Sequence, residues 1–457
     1  MARDAQPPAP GQVRGLAARV LRDIDQRDAF SNRVLSEHLE RNLGWQARDR
    51  GLLTTLVYGV LRHRSRLDAH IDAHARRPAR LRGEIRQLLR VGALELLELR
   101  HPPHAVLTEV GHAAARLTGG GGLRRTMHGI LDAVAREGVA LDERLGEGST
   151  LDVLERRWSI PRWLGGRWRK QLSDATAITR ARALAQPPPI DLRVDEHRST
   201  RDAVLLQLQA DHPRARVELP PEQPQALRVH GGGDLFHGPL HDEGLISVQG
   251  LAAQQPARWL QPRPGERILD ACAGLGVKTL QLAELMERRG TIVAADSDAR
   301  HEQDHEVLAA RGRLAAPLEH RYVVADLTDA TSDPRLDSAP FDAVLLDVPC
   351  TGLGNLARHP EIRWLRSFED IAARVQLQRA LLARQLPRVR PGGRLVYAVC
   401  SAEPEEGPGV IQAMLAMLAE APDDPARGRW RLSSERTFTP ETDGTEGFYV
   451  ARLDREP

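Results

Sequence analysis

Apolar residues recur at three- and four-residue spacing through most of the first 140 residues. VRGLAARVLRDID (13–25), RDRGLLTTLVYGVLRHRSRLDAHIDAH (48–74) and LRGEIRQLLRVGALELLEL (81–99) each keep the helical period. Pro102 and Pro103 break the run, and a further helix is expected from Ala105 to Leu117. Gly119–Gly122 reads as a flexible loop before LRRTMHGILDAVARE, and GEGST at 146–150 reads as a linker into more helix. Trp158, Trp163 and Trp168 follow at five-residue intervals, which do not share a helix face, so they read mainly as packing residues. The arginines between them could contact an RNA backbone. His70 and His74 read as helix-surface residues.

The pattern then changes. PPPIDLRVD (187–195) is turn then strand, DAVLLQLQA is helix, and ALRVHGG is strand again. From Gly265 onward, RILDAC, TIVAAD, RYVVAD, AVLLDV and RLVYAV are short apolar runs separated by helical stretches. Such alternation predicts a mostly parallel, doubly wound sheet. TDGTEGFYVARLD reads as a closing strand. The expected architecture is therefore multidomain: an all-α domain at 1–145, a small α/β middle domain with leading helices at 146–243, and a Rossmann-like α/β domain at 244–457.

Charge refines this picture only at one end. Residues 1–150 hold 24 arginines, no lysine and 18 acids, an excess of six positive charges in a chain whose total is +2. A polyanionic partner is favoured there, although a solvated arginine face gives the same count. There is no apolar run of membrane length and no secretory leader pattern. Three cysteines without a CxxC pair argue for a reducing, cytoplasmic setting. No metal, no membrane partner and a monomeric state are expected.

The three cysteines carry the chemistry. Cys272, Cys350 and Cys400 each follow an apolar strand and precede a loop, where ligands bind in an open α/β sheet. Of 64 basic residues only Lys170 and Lys278 are lysines, and Lys278 shares the segment Asp270-Ala-Cys272-Ala273-Gly274-Leu275-Gly276-Val277-Lys278 with Cys272. A glycine turn into a helix N-terminus suits a nucleotide, but this one lacks both the dinucleotide and the phosphate-loop patterns. Asp296 and Asp326 end the next two strands, and Asp296 is placed to accept from ribose hydroxyls. Acids without a phosphate cradle fit S-adenosylmethionine, whose sulfonium tolerates carboxylates. Asp347-Val-Pro-Cys350 pairs an acid with a thiol, and Cys400 supplies a second thiol. A thiolate adding to C6 of a pyrimidine makes C5 nucleophilic toward a methyl donor, and a base must then remove the C5 proton. Spacing alone leaves open which thiol attacks.

The stretch from about residue 245 resembles the RNA cytosine-C5 methyltransferase family. The D-x-P-C segment, the later Cys-Ser segment at 400–401, VQG near 248, RHPEIRW at 358–364 and the PGGRLVY strand carry the likeness. Residues 12–140 resemble the helical, RNA-binding NusB-like domain, a fusion similar to bacterial enzymes that modify 16S ribosomal RNA. The resemblance implies Cys400 as nucleophile and Cys350 as the group that assists release of the product. It implies Asp347 at the cytosine N3 edge, Lys278 near the reacting base and Cys272 through Lys278 along the cofactor. Asp296 would hold the ribose and Asp326 the adenine side. The chain departs from the family at Leu275 (usually proline), Val277 (usually glycine), Gly250 (usually aspartate) and Val399 (usually threonine). Val277 is expected to crowd the cofactor or restrict the turn. The same chemistry on tRNA, or an RNA-binding assembly factor without cofactor, are the alternatives. His301-Glu302-Gln303-Asp304-His305 matches a zinc-protease pattern, but no third ligand follows.

Overall fold

The computed structural model describes residues 7–42, 44–118, 121–231, 233, 235, 238–329, 333–337, 339–420 and 428–457. The chain divides into two compact units, one of residues 1–187 with 356–366, the other of residues 188–355 with 367–457.

The first unit is helical. Its helices run Gln12–Arg27, Ser31–Glu40, Ala47–His74, Glu84–Leu97, Pro103–Thr118 and Gly121–Leu145, followed by Thr150–Arg156, Arg162–Gln171 and Asp174–Leu184. The apolar stripes seen in the sequence meet in one core containing Leu21, Leu53, Val57, Leu88, Val91 and Leu131. Ser149 and Ser173 cap the helices that follow them, their side chains accepting from Asp152 N and Thr176 N. Gly119 and Gly120 of the expected glycine loop lie outside the described residues, and the next helix already begins at Gly121. Trp168 is buried under Arg180, as packing residues are.

Two expectations fail in this unit. His70 is fully buried, and its Nε2 lies 2.9 Å from Asp142. Arg66 and Arg157 pair with the same carboxylate. Their bonds outweigh burial and hold Asp142 well below the ordinary carboxylate range. His74 is half-buried. A long helix crossed by two packing faces leaves little true surface, which periodicity alone does not reveal. Residues 356–366, which carry the RHPEIRW motif, also belong to this unit. Arg363 is fully buried and donates to the carbonyls of Arg62, Ser159 and Leu356 at 3.4, 3.2 and 3.2 Å.

The second unit holds two sheets. In the smaller, β1 (Ile190–Val194), β2 (Arg216–Glu218), β3 (Ala226–His230) and β4 (Ile246–Val248) are antiparallel in the order β2-β3-β1-β4. A helix at Arg201–Asp211 joins β1 to β2 and a short one at Pro239–Asp242 joins β3 to β4, giving a split β-α-β arrangement. β2 and β4 have three residues each, too short for alternation to announce them.

The larger sheet contains β5 (Arg267–Ala271), β6 (Gly290–Asp296), β7 (Leu318–Val324), β8 (Phe341–Asp347), β9 (Val389–Val399), β10 (Trp430–Phe438) and β11 (Phe448–Arg455). Their order is β10-β11-β9-β8-β5-β6-β7. β5 to β9 pair in parallel, and β10 and β11 add an antiparallel edge. The helices Val277–Leu285, Arg300–Arg311 and Phe368–Gln385 form the crossovers. The central strands are buried on both faces, as their unbroken apolar runs require. The sequence runs outward from β5 to β6 and β7, then returns to β8 and β9 on the other side. The switch point therefore lies between β5 and β8, the place in an open α/β sheet where ligands bind outside the strand ends.

Candidate active site

The three cysteine segments singled out from the sequence lie at the carboxyl ends of β5, β8 and β9. β5 leads into Cys272, whose φ of 61° turns the chain sharply out of the strand. Gly274 (φ 53°) and Gly276 (φ 93°) complete the turn. A side chain at Gly276 would also overlap the His305 ring, so this glycine is required twice over. At Gly274 the space is open. Val277 is the first residue of the following helix and takes an ordinary helical conformation, so the expected restriction of the turn does not arise. Leu275 is half-exposed on the turn's outer surface.

The acids anchor this turn. Asp296, last residue of β6, accepts from Gly274 N at 2.9 Å with one oxygen and from Asp298 N at 2.9 Å with the other. Asp270 is fully buried and accepts from the Thr279 hydroxyl at 2.6 Å. Burial drives its pKa up to about 7; Asp347 and Asp296 push the same way, against Thr279 and Lys278. Burial and the surrounding carboxylates of Asp296, Asp347, Asp270 and Asp326 raise Cys272 well above the usual thiol value, against formation of a thiolate there. Asp326 stands two residues beyond β7, exposed, capped by Thr328 N and its hydroxyl.

At the end of β8, Asp347 accepts from Lys278 Nζ at 2.6 Å. Burial opposes the ammonium charge, but Asp347 outweighs it, Asp270 and Cys400 add to it, and the lysine pKa rises. Cys350 and Cys400 bring their sulfurs within 2.8 Å of each other. The Cys400 sulfur is the main influence that raises Cys350 well above the usual thiol value, and burial adds to it. Cys350 is thus kept a thiol, while Cys400 is the sulfur whose charge would reach Lys278. This asymmetry is absent from the spacing.

Gly250 carries no side chain because the Glu446 carboxylate fills the space in which its Cβ would stand. Glu446 in turn accepts from Ala253 N at 3.0 Å. An acid is present at this place, donated by the β11 approach instead of residue 250. The HEQDH histidines serve separate neighbours. His305 stacks on His320 with Nε2 atoms 2.9 Å apart, and His301 faces Asp296 and Asp298. Among the described residues no cluster of three metal-ligating groups forms.

Sequence reading missed three buried contributors. Arg193 of β1 pairs with Glu284, Glu406 accepts from Thr351, and Gln378 donates to Pro349 O. A charged residue inside an apolar strand, as in IDLRV, was the available signal for the first. Nothing local marks the others.

A Rossmann-like sheet with a glycine turn, acids on successive strand ends and paired thiols, carried on the same chain as a helical unit, marks a methyltransferase with an appended helical domain. Residues 257–454 match the 16S rRNA methyltransferase RsmB/F model, 11–136 the NusB family and 160–235 the ferredoxin-like domain of RsmF/B-like methyltransferases. The small sheet has the strand order of the last. Ribosomal RNA small subunit methyltransferase B of Cronobacter sakazakii is 31% identical over 96% of this chain and 98% of its own. The Erwinia tasmaniensis protein of the same name is 32% identical over 96% and 98%. The chain belongs to the RsmB/F family of S-adenosylmethionine-dependent rRNA methyltransferases. A solved structure designated PH0851 shares the fold over 98% of this chain and 99% of its own, with a TM-score of 0.76 at 24% identity. A methyltransferase homologue from Pyrococcus horikoshii covers 68% of this chain and 99% of its own at 26% identity and TM-score 0.56. No helix among the described residues is long and apolar enough to cross a membrane.

Proposed function

We propose that this protein methylates C5 of a cytosine in 16S ribosomal RNA through a covalent bond between Cys400 and C6. The observation that carries this is the 2.8 Å approach of the Cys350 and Cys400 sulfurs beyond the ends of β8 and β9, with the Lys278–Asp347 pair alongside.

The residues present suit S-adenosylmethionine. The open space at Gly274, the positive-φ turn and the acids Asp270, Asp296, Asp326 and Asp347 offer room for an adenosine and negative charge for a sulfonium. Cys272 to Lys278 and Asp296 would hold it, with Asp326 at the adenine side. When bound, it supplies an electrophilic methyl group.

The Cys400 thiolate attacks C6, and the C5–C6 electron pair becomes available at C5. Asp347 meets the N3 edge, and Lys278 keeps it oriented. After methyl transfer, Cys400 is a thioether. The largest influence that held Cys350 protonated is then gone, and Cys350 releases its proton to water. It next takes the C5 proton, the C6–S bond breaks, and the pair returns to one thiol and one thiolate. The target base has to leave its stack to reach Cys400, so looped or single-stranded RNA is the substrate form. The basic surplus of the first 150 residues supports docking of the phosphate backbone by the helical unit.

The test uses purified protein, methyl-labelled S-adenosylmethionine and undermodified 16S RNA. Wild type is expected to form 5-methylcytosine, Cys400→Ala none, and Cys350→Ala a covalent protein–RNA adduct. An adduct with Cys400→Ala and none with Cys350→Ala would reverse the two roles. Absence of transfer by wild type would sink the enzyme reading.

A further inference from the structure

Glu406 is fully buried, yet its carboxylate is held by neutral donors. Thr351 N donates to it at 2.9 Å, the Thr351 hydroxyl at 2.5 Å and Gln378 Nε2 at 3.1 Å. Removing a carboxylate from water is costly, and hydrogen bonds to an ionised acceptor are the strong ones. The same Gln378 nitrogen donates to Pro349 O at 3.1 Å, and Gln378 is itself fully buried. The peptides on both sides of Cys350 are thus tied to one buried carboxylate–amide pair.

Its position in the chain gives this clamp its meaning. Glu406 lies six residues after Cys400, in the loop that leaves β9. Tyr397, just before Cys400, donates its hydroxyl to Glu406 O at 2.6 Å. Gly354 N reaches Cys400 O at 3.2 Å, and Gly352 N reaches Cys350 Sγ at 3.3 Å. The loop that carries one thiol therefore supplies the side chain that fixes the backbone of the other. Together with the Gly354 N–Cys400 O bond and the β8–β9 pairing, this contact helps set the distance between the two sulfurs.

We propose that Glu406 is a positioning residue for product release: it holds Cys350 against Cys400, and its loss slows resolution of the covalent intermediate more than its formation. This rests on the reading of Cys350 as the release group. A displacement of about 1 Å at a reacting group is enough for a loss on the order of 10²-fold.

The experiment compares wild type, Glu406→Ala, Glu406→Gln and Cys350→Ala with labelled S-adenosylmethionine and 16S RNA. Turnover, KM for the methyl donor and adduct on a denaturing gel are measured together. Glu406→Ala is expected to lower turnover on the order of 10²-fold, with KM changed less than about threefold and the adduct accumulating. Glu406→Gln is expected to recover most of the turnover, since its amide oxygen can accept from Thr351 N and its amino group can meet the Gln378 oxygen, which has no partner. If Glu406→Ala does not fold, Thr351→Val removes the hydroxyl bond at constant shape and is expected to give the same adduct in milder form. Folded Glu406 or Thr351 variants that lose turnover without adduct, while Cys350→Ala traps one, overturn the positioning role alone. A Cys350→Ala protein without adduct overturns the release reading and this proposal with it.

Discussion

Replacing Arg193 with methionine should destabilise the second unit by about 3–5 kcal/mol, the range for breaking a buried ion pair from one side. Arg193 is 1% exposed and lies in the small sheet, whereas Glu284 lies in the helix that begins at Val277. The guanidinium donates Nε and Nη2 to the two Glu284 oxygens, both at 2.9 Å. It also reaches Gln249, the Val277 carbonyl and Ser247. Burial already outweighs Arg193 and raises the Glu284 pKa. Without the arginine, Glu284 has to be buried as an unpaired charge or take a proton. At about 2–4 °C per kcal/mol for a unit of this size, the calorimetric transition should fall by about 6–20 °C. The double variant Arg193→Met with Glu284→Leu removes both charges and should recover to within about 1 kcal/mol of wild type. The pH gives a second check. A carboxyl raised above its unfolded value loses stability as pH rises through its folded pKa. The raise is larger in Arg193→Met than in wild type, so the gap between the two should narrow as pH falls from 8 toward 5. A single variant within about 1 kcal/mol of wild type, or a double variant worse than the single, would refute the reasoning.

Two other perturbations probe the site itself. Asp270 holds its proton up to about pH 7 in the folded chain against an ordinary value of 3.8, so its contribution to stability is complete below 3.8 and lost as pH rises through 7. Those three units correspond to about 4 kcal/mol; Asp270→Asn should therefore flatten the fall of the melting temperature between pH 5 and 8, and parallel curves would contradict it. Gly354→Ala places a methyl group against the carbonyls of Cys400 and Gly447, which forces the Cys350 loop outward. Turnover should drop on the order of 10²-fold while calorimetric affinity for the methyl donor stays within about threefold, and an unchanged rate would show that the loop has slack.

The parts of this protein that were legible in its sequence are those written locally. Five apolar runs, each ending at an acid or a cysteine, announced both a parallel sheet and the residues at its strand ends. The glycine turn, Asp296, Asp347, Cys350 and Cys400 could be singled out because a reactive group next to a strand terminus is a short-range pattern. What stayed hidden depends on pairing across the fold. Arg193 meets Glu284 across 91 positions, and Glu406 meets Thr351 across 55. Periodicity ranks such residues as surface, because a buried charge is stable only with a partner that the local window does not contain. His70 failed for the same reason, its partner Asp142 lying 72 residues away. The RHPEIRW segment was recognised as a motif, yet its grouping with the helical unit follows from Arg363 reaching carbonyls some 200 and 300 positions earlier.

The same logic accounts for the lone lysine in the site of an arginine-rich chain. Arg363 shows what arginine does here: its planar fork reaches three carbonyls from separate stretches and locks them. A rigid brace of that kind suits packing. Residue 278 has a different task, since it must satisfy Asp347 at 2.6 Å and still present positive charge to Cys400. Lysine does this as a compact point charge on a flexible stem, free to shift between the two. Arginine at 278 would keep the charge but engage the Asp347 carboxylate with two donors, occupying both of its oxygens. One of the chain's two lysines therefore stands where a compact charge beside a carboxylate is wanted, and composition alone drew attention to this segment.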